Sequence, residues 1–99
     1  MLDLTHLVGF DWDSGNARKN DKHGVTQTEA EQVFLRRPLL CLADLRHSEA
    51  EPRYHVLGRT DDARLLHITF TVRGQGTLVR VISARDMHRR ERRVYEETT

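Results

Sequence analysis

The sequence predicts an α+β domain in which one strand and two helices precede a four-stranded antiparallel meander and a C-terminal helix. Three observations carry this prediction. Helical signals with capping residues fill the first third of the chain, and the hydrophobic period changes to two after Pro38. Short polar connections between the later strands favour a meander over parallel crossovers. With 99 residues, 37% apolar and 31% charged, the whole chain fits a single domain over 1–99 with a modest core.

Short local signals predict the first strand and the first helix. Residues 7–12 combine Leu, Val, Phe and Trp, a composition typical of strands. Asp13 offers a carboxylate that can cap the polar helix that follows. Gly24 can end that helix in a left-handed conformation. We therefore expect a short strand and a short, mostly polar helix before residue 25.

The second helix has the clearest start signal in the chain. Thr26 and Glu29 have the spacing of a capping box, in which each side chain accepts a hydrogen bond from the other residue's backbone N–H. Val33 and Phe34 continue an apolar stripe, and Pro38 stops the helix. We expect the two early helices to stack on one face of the sheet.

The second half of the chain reads as strands followed by a helix. Residues 86–97 have helical composition, with a thin apolar edge formed by Met87, Val94 and Tyr95. Four earlier segments alternate apolar and polar residues and are predicted to be strands: LLCLADL at 39–45, YHVLGR at 54–59, LLHITFTVR at 65–73 and LVRVISA at 78–84.

Alternation along these strands sorts the residues into two faces. Leu66, Ile68 and Phe70 point to the side that the second helix would cover. The opposite side would be uncovered, and it would gather the polar residues Arg59, His67, Thr69, Thr71, Arg73 and Arg80. Arginines without an acidic residue among them repel one another, which favours a surface for an anionic ligand. Polar residues are also ordinary on a solvated sheet face, and this alternative stays open.

Charge and cysteine content restrict the partners and the compartment. Residues 1–51 contain six Lys and Arg against nine Asp and Glu, whereas residues 52–99 contain ten against six. The second half is therefore the candidate surface for an anionic partner. Cys41 is the single cysteine, which excludes an internal disulfide and fits a reducing compartment. No apolar run could cross a bilayer and the start lacks the pattern of a secretion signal, so we expect a cytoplasmic protein without membrane contact.

An ordered series of motifs resembles one known family. The motifs are FDWD, KHGVT with the following EAEQVF helix, RHSEAEPRY, GRT, LLHITFTVRG and RVISARDMHRRERRVYEE. They run from Phe10 to Glu97 and resemble BrnT-type toxins of bacterial type II toxin-antitoxin modules, a family with the RelE-like ribonuclease fold. The first nine residues would be an N-terminal extension, and residues 86–97 would form a C-terminal basic helix.

The resemblance implies a function and a set of partners. It implies an endoribonuclease toxin that stops growth by cleaving RNA until a cognate antitoxin neutralises it. The antitoxin of such modules is a small ribbon-helix-helix protein of the BrnA-like kind. The pair would form a heterotetramer that represses its own operon and touches operator DNA only through the antitoxin.

Cleavage of RNA without a metal uses the adjacent 2′-hydroxyl as nucleophile. The enzyme must stabilise extra charge on the phosphate oxygens, a task that suits arginine because its planar fork pairs two oxygens and keeps its charge. Arg59, Arg80 and Arg85, in the family-like GR and ISAR motifs, are the predicted phosphate-binding residues. Ser83 can hold a phosphate oxygen, although alternation puts it on the apolar face with Val79, where it would instead cap the last helix.

Proton transfer is harder to assign from the sequence. His47 and Glu51 in RHSEAEPRY form a plausible acid and base pair. In the alternative reading, His47 orders the loop and Glu51 pairs with Arg53 at the surface. His67 is a second candidate, although a lone strand histidine is commonly a structural donor.

Further predictions concern RNA contacts, metals and a competing function. Arg73, His67, Arg89 and Arg90 are predicted to bind RNA along the sheet and the last helix. The scattered histidines lack the spacing of metal ligands, and no cofactor motif is present, so we expect neither a metal nor a cofactor. The competing hypothesis is a catalytically silent basic module that acts only as antitoxin partner and co-repressor.

Overall fold

A computed structural model describes residues 4–21, 23–44 and 51–99 of the chain. The order of helices and strands confirms the predicted α+β class. The elements are a 3₁₀ helix Leu4–His6, β1 Gly9–Phe10, α1 Ser14–Asp21, α2 Gln27–Leu35, β2 Leu40–Asp44, β3 Arg53–Arg59, β4 Leu65–Arg73, β5 Leu78–Asp86 and α3 Arg89–Thr98. None of the helices in these ranges is long and apolar enough to cross a membrane.

The strands form one five-stranded sheet in the order β1-β5-β4-β3-β2. Strands β2 to β5 pair antiparallel with their chain neighbours, so the predicted meander is confirmed. The first strand is shorter than the predicted 7–12 and adds to β5 in parallel through Gly9 and Phe10. It is short because Asp13 already starts α1: its side chain accepts hydrogen bonds from the backbone N–H groups of Gly15 and Asn16.

Helix α2 covers one face of the sheet, as predicted. The Thr26 and Glu29 capping box is present at its start. Phe34 packs edge-on against Phe70 of β4, with ring centroids 5.0 Å apart, and against Phe10 of β1 at 5.7 Å. These aromatic contacts tie the helix to both a central strand and the edge strand, which buries the main core on this face.

The opposite face is partly covered, which corrects the prediction that it would be open. Met87, which lies between β5 and α3, and Tyr95, in the second half of α3, pack on Leu57 of β3 in a second, smaller core. The Tyr95 hydroxyl donates a hydrogen bond to the Pro38 carbonyl oxygen at 2.6 Å. The predicted apolar edge was right for these two residues, whereas Val94 is 40% exposed. The sequence did not show which surface this edge would cover.

The last helix begins at Arg89 rather than at Asp86. Strand β5 continues to Asp86, and the backbone N–H of Met87 still donates to the Leu65 carbonyl oxygen. The Glu91 carboxylate then accepts from the His88 backbone N–H at 2.9 Å, which caps the start of the helix. Only two residues, Met87 and His88, therefore connect β5 to α3.

Candidate functional site

A β-bulge decides which residues of β5 share a face with the polar side of β4. The register between the two strands shifts between Thr69 and Phe70, so that Thr69 pairs with Ser83 whereas Phe70 pairs with Val81. Ser83 therefore lies on the polar face, and its predicted position on the apolar face was wrong. Strict alternation failed because one extra residue, Ile82, enters β5 at the bulge.

The bulge assembles a compact group of polar side chains on three neighbouring strands. Thr69 pairs with both Ser83 and His55, and His67 pairs with Arg85. We call these five residues the central patch. It brings together a guanidinium, two imidazoles and two hydroxyls, which are group types that can neutralise a phosphate and transfer protons.

Within the central patch, Arg85 is held by a carboxylate from α3. Its guanidinium donates two parallel hydrogen bonds to Glu91, at 2.7 Å and 2.9 Å. These bonds lower the pKa of Glu91 to about 2, so the carboxylate stays charged. Glu91 Oε2 also lies 3.9 Å from His67 Nε2. The start of α3 is thereby fastened to the middle of the sheet.

His67 is a largely buried imidazole that is neutral at neutral pH. Burial, followed by the nearby Arg85 charge, lowers its pKa to about 4. Its Nδ1 atom is buried and has no hydrogen-bond partner among the described residues. Such a ring is a poor cation at neutral pH but can donate a hydrogen bond from one nitrogen and accept one at the other.

His55 was missed in the sequence analysis, and it completes the patch. Its Nδ1 atom lies 3.0 Å from the Thr69 hydroxyl, and its ring lies against that of His67 with centroids 4.9 Å apart. The signal was present in the hairpin: a tight TDDA turn between β3 and β4 fixes a register that sets position 55 diagonal to position 67.

Arg80 shares the face but not the patch. It lies on β5 opposite Thr71, five positions before Arg85, which is roughly 15 Å along the strand. Its guanidinium donates to Asp13 at 2.8 Å and lies 3.4 Å from Asp11. The hydrogen bond to Asp13 raises the pKa of Arg80, which stays charged and doubly paired.

Arg59 and Arg73 lie towards opposite ends of the sheet. Arg59 donates to the Arg37 backbone carbonyl at 3.1 Å, near the end of α2. Arg73 forms an ion pair with Glu51. Glu51 therefore pairs with Arg73 rather than with Arg53, the partner considered in the alternative reading. His47, its predicted companion, lies outside the described residues.

The prediction of arginines without acidic neighbours was wrong. Each ion-paired arginine takes its carboxylate from another element: Arg73 from the segment before β3, Arg80 from the segment before α1 and Arg85 from α3. The arginines predicted to converge on a phosphate therefore lie on one side of the sheet. They are far apart, however, and most of them are neutralised by carboxylates. Arg59 differs from these three, because the group that it contacts is the Arg37 backbone carbonyl oxygen.

The helix arginines diverge from one another. Arg90 lines a groove of about 310 Å³ between α3 and the sheet, together with Leu42, His55, Leu57 and Val94, and we call it the α3 groove. Arg89 lies on the outer side of the helix with Arg92 and Arg93. In the described ranges, His, Cys, Asp and Glu side chains form no group of three that could hold a metal ion.

Comparison with known proteins identifies the family. The model of the family described as "Ribonuclease toxin, BrnT, of type II toxin-antitoxin system" matches residues 12–91, which include the central patch and the start of α3. Among curated proteins, no relative matches. The family match covers most of the chain, from the FDWD segment to Glu91. The chain therefore belongs to the BrnT family of ribonuclease toxins of type II toxin-antitoxin systems.

Proposed function

We propose that this chain is a metal-independent RNA endonuclease whose reaction centre is the central patch. One observation carries the proposal: the bulge sets Ser83 and Arg85 beside Thr69, His67 and His55 on adjacent strands. Charge neutralisation and proton transfer are the two tasks of cleavage by a 2′-hydroxyl, and this group has residues for both.

In this proposal, Arg85 carries the largest part of the charge stabilisation. It must exchange its Glu91 partner for a phosphate, which offers the same two-oxygen geometry. Ser83 holds a phosphate oxygen from the neighbouring position. His67 has a role in proton transfer rather than in binding charge, because its imidazole is neutral at neutral pH.

The remaining predicted residues extend the RNA path away from the patch. Arg80 and Arg73 continue along the sheet, Arg59 lies near Tyr95 of α3, and Arg89 and Arg90 belong to that helix. Glu51 is paired with Arg73, so it would act as a proton acceptor only after RNA phosphate takes over that arginine. His47 remains a candidate proton donor in the segment before Glu51.

We propose a small ribbon-helix-helix antitoxin of the BrnA-like kind as the partner that neutralises the toxin. Together they would form a heterotetramer in the cytoplasm that represses its own operon, with operator DNA bound by the antitoxin. The basic second half of the chain supports this proposal, because it suits both RNA and an acidic protein segment.

RNA cleavage by the purified chain in the presence of EDTA tests the catalytic proposal. We expect cleavage to stop when the scissile nucleotide carries a 2′-deoxy sugar, because the nucleophile is then missing. Arg85→Ala should lose about 100-fold or more in cleavage rate. Arg36→Ala is the matched control, since Arg36 is also ion-paired, to Asp61 at 2.6 Å, and is an exposed residue that ends α2.

The ion pairs that neutralise the sheet arginines favour a second candidate function. If Glu91, Asp13 and Glu51 keep their partners when RNA is present, the chain is a silent module that binds the antitoxin and supports repression. Tight complex formation with no RNA turnover, equal for wild type and Arg85→Ala, would establish this function instead.

A further inference from the structure

We propose that the α3 groove binds one unpaired nucleobase of the RNA substrate, stacked against His55. The inference rests on the proposed ribonuclease function and adds how the substrate is held, as single-stranded RNA with one base in the groove. The groove lies between α3 and the polar face of the sheet and borders the central patch through His55 and His67. A base seated there would bring its own phosphate towards Arg85.

Apolar side chains form part of the wall of the groove. Leu42 on β2 and Val94 on α3 face the groove from its two sides, and both are large apolar residues left exposed, at 52% and 40%. Leu57 lies between them, in the second core. The volume of about 310 Å³ is at the lower end for small-ligand sites. Aliphatic side chains of this kind can bury part of a base without demanding one sequence.

The polar groups of the groove fit the edge of a base and its phosphate. His55 lines the groove beside His67, with ring centroids 4.9 Å apart and planes tilted by 38°, and a histidine ring is one of the side chains on which unpaired bases stack. The Glu91 carboxylate, which stays charged, also lines the groove and can accept a hydrogen bond from an exocyclic amino group of a base. Arg90 at the rim supplies a cation for the phosphate.

Binding of mononucleotides to the full-length chain tests this proposal. We expect adenosine 5′-monophosphate to shift the imidazole resonances of His55 and His67 in NMR spectra, with saturation. Ribose 5-phosphate, which lacks the base, should leave them unshifted. Equal shifts with both compounds would mean a phosphate site only, and no shift with either would leave the groove without a base; both results overturn the proposal.

A pair of matched substitutions locates the binding site. Leu42→Lys should weaken mononucleotide binding by about tenfold or more, because it removes one wall. Leu35→Lys adds the same charge at an exposed leucine outside the groove and should leave binding unchanged. If charge alone determined the affinity for the mononucleotide, the added lysine would strengthen binding. Tighter mononucleotide binding by Leu42→Lys therefore also overturns the proposal.

Two further outcomes separate this inference from its alternatives. If Leu42→Lys and Val94→Lys lose the antitoxin complex while adenosine 5′-monophosphate leaves both rings unshifted, the groove holds a protein segment and the proposal is overturned. RNA cleavage by the same preparation distinguishes failure of the groove proposal from failure of the ribonuclease proposal. Cleavage without base binding removes only the groove proposal, whereas base binding without cleavage removes only the ribonuclease proposal.

Discussion

At the scale of single residues, His67 shows how one largely buried side chain makes the stability of the fold depend on pH. Its imidazole is 12% exposed and lies beside the Arg85–Glu91 ion pair, with Nε2 3.9 Å from the Glu91 carboxylate. Burial and the arginine charge oppose its protonation, whereas Glu91 favours it. The first two effects prevail, so the folded chain resists taking up a proton at this site.

The lowered pKa of His67 predicts a loss of stability in mild acid. An unfolded chain protonates this residue near pH 6.5, whereas the folded chain does so near pH 4, so the free energy of unfolding falls as pH decreases between these values. Between pH 7 and pH 5 the expected loss is about 2 kcal/mol. Urea denaturation at both pH values measures it.

His67→Gln should remove most of this pH dependence, whatever it does to stability at pH 7. His88→Gln is the control, because the His88 side chain is 71% exposed, and it should keep the wild-type slope. The acidic residues with lowered pKa values lose their contribution only below about pH 4.5, outside this window. An unchanged slope in His67→Gln would refute the assignment.

At the scale of elements, Gly58 sets the distance between β3 and α2. A Cβ atom at this position would lie 2.7 Å from Val33 Cγ1 and 3.0 Å from Leu39 Cδ1. Gly58→Ala should therefore push the helix from the sheet and lower the free energy of unfolding by about 1–3 kcal/mol, as overpacking does. Chemical denaturation measures this change.

Gly9→Ala is the comparison for Gly58→Ala. Its added Cβ would meet Leu78 Cδ2 at 3.4 Å, an ordinary contact, in another strand. We expect a change below about 1 kcal/mol, since a strand alanine is tolerated there. Equal stability of the two variants would show that α2 yields without cost.

The elements also show what the sequence could and could not predict. The capping box of α2 and the strands β3 to β5 follow from patterns within a few residues, and these predictions are confirmed. The bulge that turns Ser83 to the polar face depends on two strands at once, so alternation in β5 alone missed it. The Arg80 to Asp13 pair joins residues 67 positions apart, and no local pattern encodes it.

At the scale of the whole molecule, the two oppositely charged halves of the sequence pair with each other. Asp11 and Asp13 lie on Arg80, and Glu29 lies 3.1 Å from Arg64. Several arginines are therefore already paired with carboxylates of the same chain. RNA phosphates must compete with these internal carboxylates for the arginines. The affinity for RNA therefore depends on how easily each carboxylate gives up its arginine.

Glu91 is the internal carboxylate that most directly competes with RNA for Arg85. Glu91→Gln should free the guanidinium and tighten binding of an uncleavable 2′-O-methyl oligonucleotide severalfold at low salt. Because one more phosphate is neutralised, the slope of log affinity against log salt should steepen by about 0.7. Glu96→Gln on the same helix removes an equal charge from an exposed residue and should leave the slope unchanged. Equal slopes for wild type and Glu91→Gln would mean that Arg85 does not contact phosphate, whatever the RNA does elsewhere on the sheet.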